Sequence, residues 1–324
     1  MPGVGGHDRE RMRATSGTRV FFGAAGIVLA ATSASSAPPD LYEWIALAPV
    51  VAVAEPQHDA GKFMETRLAN VLRGGLPEGS RVMIDVKRAN RDREDGRRAL
   101  RLETDRRYLV LLRRDGSRVA DDLPVFGLVR GIDGARELPA EGSAAVLDAI
   151  ARFVQVQDRK DEIAAWKSFR EMLEETNPLF LETSLDLFLK FRRGDLTLLP
   201  VLRPLLDHPR PDLRVMTARL VGQIVEHHTE DEIPADDGTL TALYGLARRD
   251  PKAVVRVAAT AAVGGIAGNG PEEVLEEIAH SDPEQSVRYE AEKSLYERRA
   301  APRPEGRAPA TREGVKSPEP SGPR

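Results

Sequence analysis

Along residues 41–139 the apolar positions come in short bursts separated by glycine, proline and charged clusters. The bursts cover residues 45–54, 63–72, 81–86, 100–103, 108–113 and 125–129. Each is of strand length and several alternate apolar with polar, as half-buried strands do. Asp115-Gly116, after the most apolar burst, supplies a turn signal. Five or six short strands in about 100 residues predict a small antiparallel β barrel or sandwich. The base-rich stretch 87–98 is expected as an exposed loop between two strands. After residue 143 the period changes. Val146, Leu147, Ile150, Phe153 and Val154 share one helical face and predict a connecting helix over 143–157. Ile163, Trp166, Phe169, Met172 and Leu173 mark another helix, and Asn177-Pro178 opens a third with Leu181, Leu185, Phe188 and Leu189 turned inward. Asn before Pro suits a helix start, because the side chain accepts from a free amide and proline needs no partner in the first turn.

A phrase then recurs. Asp250-Pro251 leads to Val255 and Arg256, then Ala259, Val263 and Gly264; Asp282-Pro283 leads in the same spacing to Val287, Arg288, Ala291 and Leu295. A looser copy runs from Asp207-His208-Pro209 to Leu213, Arg214, Thr217, Val221 and Gly222. The arginines stand 42 and 32 residues apart, the longer step holding an acidic insertion over residues 226–238. A period in that range signals stacked helical hairpins, a solenoid, whose usual work is to hold partners. Four hairpins are predicted, at 159–193, 196–227, 239–267 and 271–300. One Asp and one Arg per repeat at helix starts point to capping and repeat-to-repeat bonding, so Asp250, Asp282, Arg214, Arg256 and Arg288 are expected to be structural.

The repeated phrase resembles HEAT-like repeats, particularly the short ones of phycobilisome-lyase-type proteins, over residues 207–299. Its last copy carries Tyr296 where the others have glycine, as a terminal cap would. The runs from Phe63 to Gly74, from Ser80 to Val86 and Tyr108-Leu-Val-Leu-Leu112 resemble the OB barrels of netrin-like and metalloproteinase-inhibitor-like proteins. The N-terminal cysteine of that family is absent, so the resemblance implies the fold and not the inhibition. The expected architecture is α+β and multidomain: a small antiparallel, OB-like β barrel over 41–139, then an α-solenoid of HEAT-like helical hairpins over 159–300.

Composition narrows the function classes. The 324 residues suffice for two cores. A net charge of −4 from 47 basic and 51 acidic side chains argues against bulk attraction to nucleic acid. The chain has no cysteine, which removes disulfides, thiolate catalysis, cysteine-ligated zinc and a lipidated cysteine. Residues 1–37 read as a secretory signal peptide. Arg11, Arg13 and Arg19 precede an apolar run over 20–31 that is too short to span a bilayer, and the small residues Ser35 and Ala37 precede Pro38. A secreted or periplasmic protein with no membrane span after cleavage is expected. Residues 301–324, nearly devoid of apolar side chains, are expected to be a disordered tail.

Candidate chemistry is sparse. His227-His228 beside Glu226, Glu230, Asp231 and Glu232 is the only cluster resembling a metal site, but adjacent histidines point in different directions on a helix. His58, His208 and His280 have no neighbours that read as a triad, and the glycines at 264–270 lack the lysine of a phosphate loop. No cofactor is expected. Phase is more informative: Tyr289, Lys293 and Tyr296 share a face of the last helix, and the same positions in the earlier helices are Val215, Arg219, Gly222 and Val257, Ala261, Gly264. That stripe predicts the floor of a concave partner-binding groove, with Tyr289, Lys293, Tyr296 and Arg219 as contact residues. The expected function is a non-catalytic exported scaffold for a protein partner. The alternatives are a lyase-like or cofactor-maturation factor, or an envelope inhibitor acting through the β domain.

Overall fold

The computed structural model describes residues 41–91, 99–159, 161–226, 228–233, 238–268 and 270–300. The expected signal segment, the tail over 301–324, most of the stretch 87–98 and His227 lie outside the described residues.

The burst 45–54 divides into two elements. Helix α1 (Leu41–Leu47) buries Tyr42 and Ile45, spaced three apart, before strand β1 (Val50–Ala60) begins. Strands β2 (Phe63–Arg73) and β3 (Arg81–Asp85) follow, then helix α2 (Val86–Arg91), strand β4 (Tyr108–Ala120), strand β5 (Leu123–Leu128) and the short strand β6 (Ala135–Glu137). Three expectations are corrected here. The stretch predicted as an exposed loop starts as helix α2, which buries Ala89. Residues 100–103 form no strand: the side-chain amide of Asn90 donates to the carbonyl of Leu100 at 3.1 Å and accepts from its N–H at 2.7 Å, while Leu102 is buried among the barrel residues. Asp115-Gly116 is not the hairpin turn but sits at a register irregularity inside β4. The chain reverses at Asp121-Asp122, whose φ angles of 48° and 61° are those of a tight turn matching strand twist. Aspartate tolerates that region because its side chain is short and polar.

β1 pairs with β2 on one edge and β4 on the other, β2 with β3, β3 with β5, and β5 with β4, which closes a five-stranded ring of OB-like kind. It is not a clean antiparallel barrel. The β3–β5 seam is parallel and joins only Met83 to Val125 and Ile84 to Phe126, β1 is bulged against β2, and β6 adds to β4 at Tyr108–Val110. Val50, Ala52, Ala54, Val82, Ile84, Val110 and Leu112 fill the ring. The reverse face of the same two strands, Val51, Val53, Leu109 and Leu111, packs in one core with Tyr42, Ile45, Ile150 and Phe153. Burial on both faces is why β1 and β4 read as unbroken apolar runs.

Helix α3 (Ser143–Asp158) covers that outer face and leads into the helical hairpins. Arg73 on β2 joins the two parts: its guanidinium donates to the Ile45 carbonyl at 2.8 Å and to Gln157 Oε1 at 2.9 Å, and pairs with Asp158 at 2.9 Å. Tyr42, Phe153, Phe169 and Phe180 meet edge to face nearby, with ring centroids 5.3–5.7 Å apart.

The first hairpin is α4 (Glu162–Met172) and α5 (Pro178–Lys190), the latter capped by Asn177, whose side chain accepts from Leu179 N–H at 3.1 Å. Ile163, one of the residues that marked this helix, is 82% exposed in the first turn of α4. The first arm of the second hairpin is broken by Pro200 and Pro204 into two 3-10 turns around α6 (Leu199–Leu202), and its second arm is α7 (Pro211–Val225). Then come α8 (Thr239–Arg249) with α9 (Ala253–Gly265), and α10 (Gly270–Ser281) with α11 (Gln285–Ala300). The second arms α5, α7, α9 and α11 stack in succession. The C-terminal half is thus the solenoid of HEAT-like hairpins that the repeated phrase implied.

Candidate interaction site on the solenoid

The Asp and Arg of the repeated phrase form a ladder. Arg214 on α7 donates Nε–H and an Nη2 proton to the two carboxylate oxygens of Asp250 at 2.7 and 2.9 Å, and Arg256 on α9 does the same to Asp282 at 2.7 and 3.0 Å. All four side chains are at most 10% exposed. Each arginine also donates from Nη1 to its own repeat's turn: Arg214 to the carbonyls of His208 and Pro209, Arg256 to that of Asp250, Arg288 to those of Asp282 and Pro283. The expected helix capping is corrected: α9 has Lys252 at its N-cap with no side-chain cap bond, and each aspartate instead accepts from the amide two residues on, Lys252 for Asp250 and Glu284 for Asp282, closing the turn that precedes the helix. One carboxylate therefore closes a turn and clamps the preceding repeat. Burial pulls the Asp282 pKa up, but hydrogen bonds from Arg256 and Glu284 N–H and the charges of Arg256 and Arg288 outweigh it, and the net shift is downward. The hydrogen bond to Asp282 leads the causes that hold Arg256 above its ordinary value.

The ladder corrects the register of the looser copy. Six residues before Arg214 stands His208, whose Nδ1 accepts from Arg210 N–H at 3.1 Å, the contact an aspartate makes in the later repeats. Asp207 pairs with Arg203 on the surface at 2.6 Å instead. Counting back six from the arginine would have found His208. Arg298 was also missed: it donates to the carbonyls of Gly264, Ile266 and Gly268, capping the C-terminal end of α9 with a cation.

The expected groove stripe divides. A Cβ built on Gly222 would stand 2.7 Å from Ala262 Cβ, and one on Gly264 2.8 Å from Ser294 Cβ, so these glycines let successive second arms touch. Val215 is buried and Val257 half-buried. These positions form the contact between repeats and not the floor of a groove. In α11, the last helix among the described residues, the same positions are Tyr289 and Tyr296, 65% and 74% exposed. Glu292 lies exposed between them, in the place of the buried Ala218 and Thr260. The remaining phase, Arg219, Ala261 and Lys293, is exposed in all three helices, and Lys293 pairs with Glu290 at 3.1 Å. Two surfaces result: a row along the second arms, and an end face on α11.

The other candidates fall elsewhere. His228 lies within the acidic insertion, its carbonyl accepting from Ala267 N–H at 2.8 Å. Among the described residues no group of three or more His, Asp or Glu is placed to hold a metal ion, and no helix is long and apolar enough to cross a membrane.

Residues 199–296 match the family model of HEAT repeats, so this part of the chain is a HEAT-like repeat region. The matched span holds the whole ladder. Among solved structures, a designed armadillo repeat protein is 16% identical over 49% of this chain and 78% of that chain, with a TM-score of 0.36. No protein of curated function matches.

Proposed function

We propose that this protein is an exported, non-catalytic scaffold that holds a protein partner on its HEAT-like solenoid. One observation carries the reading: Tyr289 and Tyr296 are large aromatic side chains left exposed on α11, at positions where α7 and α9 carry the buried or half-buried Val215 and Val257 and the glycines Gly222 and Gly264 pressed against the next second arm. Exposed aromatics of this kind supply the anchors that dominate interface energies. The buried ionisable groups of the ladder are meanwhile consumed by repeat-to-repeat bonding. The exposed row of Arg219 and Lys293 extends the surface along the stack.

Export rests on the basic, apolar and small-residue order of residues 1–37. Sequencing the N-terminus of the mature protein is expected to give a start near Pro38; full-length chain recovered from the cytoplasm refutes export. Affinity capture from the exported fraction then tests the scaffold. Tyr289→Ala combined with Tyr296→Ala is expected to lose the captured protein while keeping the helical circular-dichroism signal and melting temperature. Undiminished capture by a folded double variant rejects this surface, and recovery of a bound pigment or cofactor in place of a protein rejects the scaffold.

A further inference from the structure

Among the described residues the ladder ends on an open rung. Arg214 and Arg256 each have one edge of the guanidinium tied to the carbonyls of their own turn and the opposite fork, Nε and Nη2, filled by the aspartate of the next repeat. Arg288 is held by its own turn in the same way, with Nη1 donating to the carbonyls of Asp282 at 2.7 Å and Pro283 at 3.0 Å. Its fork meets no acceptor among the described residues. Arg288 is half-buried, so little side-chain freedom remains to be lost when the fork is filled, and planar two-point pairing with a carboxylate is what a guanidinium so held does best. Tyr289, next in the chain, and Tyr296, about two turns further along the helix, are exposed to one side of it and supply apolar area near the charge.

We propose that Arg288 is a docking site for an aspartate or glutamate side chain of a partner protein, which takes the place that Asp250 and Asp282 occupy inside the stack, with Tyr289 and Tyr296 packing on the residues beside it. This rests on the scaffold reading and adds the chemistry of the partner: an acidic residue at a turn or helix start, with apolar neighbours. The steric logic excludes a further repeat of the same sequence, since Tyr296 stands where close stacking requires glycine. Glu292, one turn along, repels an acidic partner and so tunes the site toward a single carboxylate and not a polyacidic run.

The probe is a blocked synthetic peptide with the sequence of residues 277–290, which carries the Asp282 turn, titrated into the full-length protein while the Arg288 Nε–H resonance is followed by NMR. A saturable shift of that resonance is expected. Binding should weaken about tenfold or more when the peptide aspartate is replaced by asparagine or the protein carries Arg288→Gln, the loss expected for charge-assisted hydrogen bonds. Arg288→Lys should recover only part of it, because an ammonium cannot make the two-point contact. Glu292→Gln should tighten binding about threefold, as removal of one exposed like charge does, and leaves the ladder untouched. No shift of Arg288 at saturation, or equal affinity for the aspartate and asparagine peptides, overturns the proposal. Concentration-dependent dimerisation in sedimentation that Arg288→Gln abolishes assigns the fork to a second copy and overturns it as well. If Arg288→Gln leaves capture of the exported partner intact while the tyrosine pair abolishes it, the scaffold stands and the carboxylate site alone falls.

Discussion

Asp282→Ala tests the ladder most directly. The substitution removes the acceptor for Glu284 N–H, worth about 0.5–1.5 kcal/mol as a lost turn hydrogen bond. It also leaves Arg256 with an empty fork while 9% exposed, so water cannot replace the carboxylate. Breaking a buried, hydrogen-bonded pair from one side costs about 3–5 kcal/mol, and this loss sets the scale. Urea unfolding at neutral pH, followed by far-ultraviolet circular dichroism, should show it as a midpoint lower by about 1 M or more, given a slope of about 2–3 kcal/mol per molar. Asp282→Asn keeps the turn hydrogen bond and one bond to Arg256 and should cost less, about 1.5–3 kcal/mol. Replacing both partners, Asp282→Leu with Arg256→Met, should recover most of the loss, since apolar packing substitutes well for a buried pair. The Asp282 carboxyl is depressed in the folded protein, so its contribution is complete above the unfolded value of about 3.9 and is lost as pH falls through the folded one. The stability gap between wild type and Asp282→Asn should therefore be constant near neutrality and close in acid. An Asp282→Ala variant within about 1 kcal/mol of wild type, or a double replacement no better than the single one, refutes the ladder as a source of stability.

Ala259 is fully buried, so Ala259→Asp should destabilise more than Asp282→Ala in the same titration by placing an unpaired charge in the core. Gly222→Ala gains about 1 kcal/mol in helix propensity. Its new Cβ would lie 2.9 Å from Ala262 Cα, a backbone atom that cannot swing aside, so overpacking of about 1–3 kcal/mol should win and lower the melting temperature. Arg73→Met removes the hydrogen bonds from β2 to α1 and α3, and hydrogen exchange should quicken at both helices while the ladder amides in α9 stay protected.

The repeat was legible in the sequence because its parts are local: a turn closed by an aspartate, an arginine six residues on, and small residues at helical spacing are all set within one hairpin. Asn177 was legible for the same reason. Partnerships across hairpins were not. That Arg298 caps α9, and that Gly222 and Gly264 face Ala262 and Ser294, depend on how successive hairpins settle against one another, whereas His208 at the turn before Arg214 is local and follows from the six-residue spacing. In the β part the bursts located most strands, yet a helix opened the first, an asparagine clasp replaced another, and the turn fell at Asp121-Asp122. Unbroken apolar runs in β1 and β4 erased the alternation that would have shown their faces. Only the closing of the ring on one side and the docking of α1 and α3 on the other decided which residues were buried where. Tyr289 and Tyr296 make the same point: their spacing put them on one helical face, but their exposure reflects that no described helix packs there, a property of the assembled solenoid that no single helix carries.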